Sequence, residues 1–315
     1  MSIKAIVGIL LIISLGINIG LGIFIFKNNG RITESNDFSS QEKQYPLLSK
    51  RILQEFPQDI LVSFLDLREE LRKETNKYDD NFGLYFEYLP TGTSININGT
   101  LEFHAASLFK IPVVMAYYRS LERLNKEDDQ NISLTKDMLD NQFGDLWKKG
   151  AGYKLRASQA VNLAITESDN TAARSLVPLI NKGDFESVYQ GLDIDLQSDS
   201  GGALLSAKSY SSILKALYFS SVLEKKNSQH ILDLLTRTKF PDKLAAGVPS
   251  NVQVAHKIGS YNDDEGNEAF TDCGIVYIPR RPYVLCMLSI SDEQVARERM
   301  QSVSTIIYDY VSSVK

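Results

Sequence analysis

The chain has 315 residues, with 34 Lys and Arg against 39 Asp and Glu, a formal net charge of −5 and a pI near 5.4. That balance, without any run of Lys and Arg, supplies no basic field for phosphate backbones and argues against a nucleic-acid partner. Hydrophobic residues make up 43% of the chain, enough for one large core, so general disorder is excluded.

Residues 5–26 are an uncharged run rich in Leu, Ile and Gly. As a helix they would span about 33 Å, enough for a bilayer core, and we read them as a single-pass anchor. A cleaved signal peptide is the rival reading, but the run is long for one and no small-x-small site precedes Lys27. Lys4 on one side and Lys27 and Arg31 on the other leave its orientation to other considerations. Residues 27–45 turn polar, with almost no apolar anchor, and read as a flexible tether. The folded domain is expected over residues 46–315.

Within it, residues 47–76 read as helix broken at Pro57, because Ile60, Phe64, Leu67 and Leu71 recur at helical spacing. Two strands, 82–89 and 94–98, flank Pro90-Thr91-Gly92 as a hairpin. Helices are predicted over 107–123, over a stretch opened by Ser158 before Val161 and Leu163, over 175–192 and over 207–219, with 193–203 as a short polar link. Strands return at 252–257, 273–278 and 283–290, and a helix from Glu293 to Val314 closes the chain. Strands at both ends around a helical block predict an α+β domain. Its antiparallel sheet is built from both chain ends and flanked by helices, beside an all-α lobe and behind one N-terminal transmembrane helix. Active sites favour such lobe junctions.

Cys273 and Cys286 flank the turn Pro279-Arg280-Arg281-Pro282. A hairpin centred on those four residues does not set the cysteines opposite each other, so we read two free, buried thiols rather than a bridge.

Ser107 follows the extended Phe103-His104-Ala105-Ala106 and opens an apolar helix, with Lys110 three residues on and therefore on the same face. A serine hydroxyl is a poor nucleophile unless a neighbour takes its proton, and a lysine does so when burial or nearby positive charge lowers its pKa. Alone, Ser-x-x-Lys is a weak signal, and an ordinary helix N-cap is its bland counterpart. Two further elements follow in order: Ser168-Asp169-Asn170 after an amphipathic helix, and Lys257-Ile258-Gly259 at the end of a predicted strand.

From Pro46 to the C-terminus the sequence resembles the class A β-lactamase-like family of penicillin-recognising serine hydrolases, whose signature set is Ser-x-x-Lys, Ser-Asp-Asn and Lys-Thr-Gly. Flanking residues extend the likeness: Phe109-Lys110-Ile111-Pro112, Ser168 to Ala173, and Asp272 to Val276. The resemblance implies Ser107 as nucleophile on an amide or lactam carbonyl, Lys110 as its base and Ser168 as proton relay to the leaving nitrogen. It implies Asn170 on the substrate's side-chain amide and the Lys110 ammonium. It gives Lys257 to the substrate carboxylate and to depressing the Lys110 pKa. It further implies that the Lys257-Ile258-Gly259 strand would line the substrate and that the N–H groups of Ser107 and Ser260 would form the oxyanion hole. The substrates implied are β-lactams or D-alanyl cell-wall peptides, met outside the membrane, with no cofactor.

Two departures qualify that picture. Ile258 stands where the third motif normally has a hydroxyl, with Ser260 as neighbour. No deacylating glutamate is evident between the second and third motifs, where Glu186 falls on the solvent side of a predicted helix. This leaves three readings: an acyl-enzyme former whose deacylation base is not evident, a true β-lactamase, fast or slow, and a non-catalytic cell-wall peptide-binding module. His104, His230 and His256 share no ligand spacing, and His256 is read as structural. The run from Asn262 to Gly266 misses the EF-hand pattern and reads as a solvated loop.

Overall fold

A computed structural model describes residues 63–78, 81–199, 202–262 and 268–313. The chain divides between Asp59 and Ile60, and all described residues belong to the second unit. The expected anchor, the tether, residues 46–62 and the loop at 263–267 lie outside them. No helix of the described residues is long and apolar enough to cross a membrane.

In chain order the elements are α1 (Leu65–Thr75), β1 (Phe82–Tyr88), β2 (Thr93–Ile97), β3 (Glu102–His104), α2 (Lys110–Leu124) and β4 (Asn131–Ser133). Next come β5 (Lys154–Arg156), α3 (Ala157–Thr166), α4 (Asn170–Leu176), α5 (Asp184–Gln190), β6 (Gln197–Asp199) and β7 (Gly202–Ser206). The chain then runs through α6 (Ala207–Phe219), α7 (Lys225–Leu235), β8 (Gln253–Asn262), β9 (Glu268–Tyr277), β10 (Tyr283–Ile290) and α8 (Glu293–Ser312).

The main sheet has the order β2-β1-β10-β9-β8, antiparallel throughout, so both chain ends do build it. Its two faces are separate cores, and strand alternation assigns residues to each. Phe82, Leu84, Phe86 and Tyr88 of β1 and Leu285 and Met287 of β10 pack with Leu67 and Leu71 of α1 and Met300 and Ile307 of α8. Tyr85, Val284, Cys286 and Leu288 face the other way, into the core holding α2, α6 and the remaining helices. Glu87 of β1 also points to that side, where it accepts from Tyr85 Oη at 2.8 Å and pairs with Lys215 of α6 at 2.7 Å, so the buried carboxylate is partnered. Helix α6 thus lies on the sheet, and the lobe proper is α2–α5 with α7.

Four expectations are corrected. The predicted helix from Ser107 begins as a 3₁₀ turn, Ala106–Phe109, and becomes α-helical at Lys110. Pro112 then falls in the first α-turn, where a missing N–H costs nothing. The predicted helix over 175–192 is broken: α4 ends at Leu176, Pro178 sits in a 3₁₀ turn, and α5 starts only at Asp184. The polar link at 193–203 contains strand β6 and leads into β7, which pairs with β3 on its other side (β3-β7-β6). Finally, Cys273 and Cys286 are direct cross-strand partners. The turn closes by Arg281 N–H donating to Ile278 O at 2.9 Å with Arg280 at φ 65°, which centres the hairpin between Pro279 and Arg280 rather than on all four residues. Both thiols are free and buried.

Candidate active site

The three motifs meet where the 3₁₀ turn, the α3–α4 junction and β8 converge. Ser107 Oγ lies 2.6 Å from Lys110 Nζ, Lys110 Nζ lies 3.1 Å from Ser168 Oγ, and Lys257 Nζ reaches the same Ser168 Oγ at 2.7 Å. A single hydroxyl therefore bridges two lysines. Ser168 can do this because it adopts φ 58°, in the left-handed region, as does Ala106 (φ 44°) immediately before Ser107. Non-glycine residues rarely accept that strain, and they hold it where the surroundings over-determine it.

Those surroundings are specific. Asp169 caps α4, accepting from Ala172 N–H and Leu146 N–H, both at 2.8 Å. The loop holding Leu146 comes so close that a Cβ on Gly144 would lie 2.2 Å from Asp169 Oδ2, and Gly144 has φ 86°. On the other wall, a Cβ on Gly259 would meet Thr271 Oγ1 at 2.6 Å and Ala105 O at 3.3 Å. The third motif needs a glycine there because β8 presses against the chain leading to Ser107. Tyr210 of α6 donates to Leu108 O at 3.0 Å, pinning the same turn from behind.

Burial dominates the electrostatics. It lowers the Lys110 pKa to about 8, against the opposing pull of Asp169 and Asp140. Lys257 is wholly buried, and burial followed by the Lys110 charge holds its pKa well below the ordinary lysine range, with Asp272 opposing. For Lys110 the depression comes from burial, and the repulsion between the two ammonium groups shows at Lys257.

Asn170 opens α4 and donates from Nδ2 to Asp140 Oδ1 at 3.0 Å, while Arg174 grips Asp140 Oδ2 at 2.6 Å. Asp140 and Arg174 had no motif to announce them. Asp140 lies 30 residues before Asn170, in a segment without periodic pattern, and only the fold brings them together. Phe143 went equally unseen: its ring lies 6.0 Å from Lys110 Nζ and 5.7 Å from the ring of Phe240, flanking the cluster. Gly259 is buried, whereas Ser260 is exposed on the same strand and Ile258 half-buried.

His256 is not part of this cluster. Its Nε2 lies 3.0 Å from Thr238 Oγ1 and its Nδ1 2.9 Å from Asp272 Oδ1, on the opposite face of β8 from Lys257. Among the described residues no group of His, Cys, Asp and Glu could hold a metal ion. Tyr117 and Tyr118 are buried, with their hydroxyls on Asp128 at 2.6 and 3.2 Å.

A five-stranded antiparallel sheet with helices on both faces, and a helical lobe meeting it at a Ser–Lys–Ser–Lys cluster, define the class: the β-lactamase-like serine hydrolases. The model of the Beta-lactamase enzyme family matches residues 66–311, and the chain belongs to that family. Among solved structures, PBP-A is similar at 22% identity over 79% of this chain and 97% of its own, with a TM-score of 0.70. A β-lactamase from Chitinophaga pinensis DSM 2588 is similar at 20% identity over 78% and 100%, TM-score 0.71. TLA-3 extended-spectrum β-lactamase is similar at 18% identity over 80% and 100%, TM-score 0.72. No protein of curated function matches the sequence.

Proposed function

We propose that this protein is a membrane-anchored, extracytoplasmic serine hydrolase that forms an acyl-enzyme on Ser107 with β-lactams or D-alanyl cell-wall peptides and releases it slowly. The observation that carries this is the 2.6 Å contact between Ser107 Oγ and a Lys110 whose pKa is lowered to about 8. At neutral pH such a lysine is free base in an appreciable fraction, as a general base requires.

In this reading Ser107 Oγ attacks the carbonyl carbon and its proton passes to Lys110 Nζ. Ser168, hydrogen-bonded to Lys110, relays a proton to the leaving nitrogen. The N–H groups of Ser107 and Ser260 receive the oxyanion, each worth roughly 3–4 kcal/mol in hydrolases. The family likeness assigns Lys257 to the substrate carboxylate and Asn170, held by Asp140, to its side-chain amide. A similar structure, a PBP-A variant, is described as an acyl-enzyme complex with penicillin G. That description supports acylation in a relative of the same fold.

Release lacks an evident base. The carboxylates acting on Lys110 are Asp169 and Asp140. Asp169 accepts two backbone N–H groups, and Asp140 accepts from Asn170 and Gln142 N–H and pairs with Arg174. Glu186 is exposed on α5. The stretch from the second motif to α6 is occupied by the broken helix and the β6–β7 hairpin, whose β7 strand is hydrogen-bonded along β3. The anchor reading of residues 5–26 supports placement outside the membrane, with residues 27–45 as tether.

Intact-mass analysis of the protein after adding penicillin G, with Ser107→Ala as control, tests the reading. A stable adduct lost in Ser107→Ala is expected. A transient adduct with rapid product release would make it a true β-lactamase, and no adduct would make it a peptide-binding module.

A further inference from the structure

Resting on the Ser107 acylation reading, we propose that His104 and Tyr261 are positioning residues whose contacting rings set the spacing between the oxyanion-binding N–H groups of Ser107 and Ser260. The two rings lie 3.9 Å apart between centroids, at an interplanar angle of 34°. His104 ends β3, three residues before the nucleophile, and Tyr261 directly follows Ser260 on β8.

The place of this ring pair in the fold gives it leverage. The chain leading to Ser107 and strand β8 touch first at Gly259, where a Cβ would come within 3.3 Å of Ala105 O. They touch again two residues on, where Tyr261 covers His104. Ser260 lies between the two contacts, and on the opposing chain Ala106 (φ 44°) turns the backbone into Ser107. The first contact is main chain against glycine and limits how closely the two segments approach. It does not stop them from parting or sliding. The tilted ring pair supplies that restraint, since two rings in close contact over many atoms lose their dispersion contacts when the segments part or slide. The other side of the Ser107 lead-in is already tethered: β3 pairs with β7, and Ala105 N–H donates to Ala203 O at 2.8 Å. A shift in the ring pair therefore appears at the gap between Ser107 and Ser260. Oxyanion donors act only at a defined distance, and small displacements of catalytic groups cost large factors in rate.

The test uses the full chain in single-turnover acylation by penicillin G, which separates the dissociation constant of the non-covalent complex from the acylation rate constant. Tyr261→Leu is expected to lower the acylation rate constant about tenfold or more while leaving the dissociation constant unchanged. Tyr261→Phe keeps the ring and should restore the rate to within about twofold. His104→Leu should match Tyr261→Leu, and it replaces that variant if Tyr261→Leu does not fold by circular dichroism. A wild-type rate in the ring-deleted variants overturns the proposal, as does a Tyr261→Phe as slow as Tyr261→Leu. Labelling by a fluorophosphonate keeps the two readings distinguishable. A wild type unreactive toward both reagents overturns the Ser107 reading and this one with it, whereas a reactive wild type matched by Tyr261→Leu overturns the positioning role alone.

Discussion

Asp140 Oδ1 accepts from Asn170 Nδ2 at 3.0 Å, although the two residues are joined by no motif. Through that bond an acidic residue outside the signature set orients one inside it, and its charge also reaches Lys110, where it raises the pKa.

Asp140→Asn is accordingly expected to act in two ways. Removing the anion lowers the Lys110 pKa further, so the rising limb of the acylation rate moves to lower pH. Losing the Arg174 pair and a charge-assisted bond to Asn170 weakens substrate binding by about tenfold, from roughly 1.5 kcal/mol for a hydrogen bond to a charged group. Stopped-flow acylation across pH reads both, and an unmoved limb would contradict the assignment of Asp140 as a charge acting on Lys110.

Lys110 makes its own pH prediction. A base must be unprotonated to act, so acylation should rise with pH and level off above about 8. Replacing Lys110 by Met should reduce the rate by about 10²–10⁴-fold, the usual range for a lost general base. A flat pH profile between 6 and 9 in the wild type would remove Lys110 from that role.

The same lysine costs stability. Its folded pKa of about 8 lies below the ordinary 10.5, so between those values the unfolded chain binds more protons and stability rises with pH. Below both, keeping the buried group charged costs about 3 kcal/mol, taking about 1.4 kcal/mol per pKa unit. Lys110→Met should therefore stabilise the fold by up to about 3 kcal/mol at pH 7, with the gain fading as the pH approaches 10.5. Urea denaturation at pH 7 and pH 10 measures the difference.

Gly144→Ala should damage the second motif from a loop outside it. Its Cβ would fall 2.2 Å from Asp169 Oδ2, and φ 86° disfavours any side chain. Expelling the Asp169 cap from α4 removes about 1–2 kcal/mol of capping, and the backbone strain adds a further 1–2 kcal/mol. A melting temperature within a degree or two of wild type would show that the loop relaxes freely.

Cys273 and Cys286 should be silent to Ellman's reagent in the native protein and both titratable after denaturation, because each is buried and reduced. One reactive thiol in native buffer would mean that the β9–β10 core opens locally.

The chemistry was legible along the chain because it is written in short local motifs. Ser107 and Lys110 share a helical face by spacing alone, and the order Ser-x-x-Lys, Ser-Asp-Asn, Lys-x-Gly carried the family. The strands and the terminal helix were legible for a similar reason, since hydrophobic period reports which face is buried. Register was not. The cysteines came opposite each other because the turn closed one residue earlier than its Pro-Arg-Arg-Pro composition suggested, and nothing local distinguishes the two closures. The β6–β7 hairpin was hidden because its strands are short and only partly buried, and β7 gains its order from pairing with β3 and β6 from pairing with β7. The convergence of Lys257 and Lys110 on Ser168, and the hold of Asp140 on Asn170, were decided by tertiary structure alone. Sequence names the groups able to exchange a proton, but burial sets their pKa and packing sets their distances, and both arise only when segments remote in the chain close on one another.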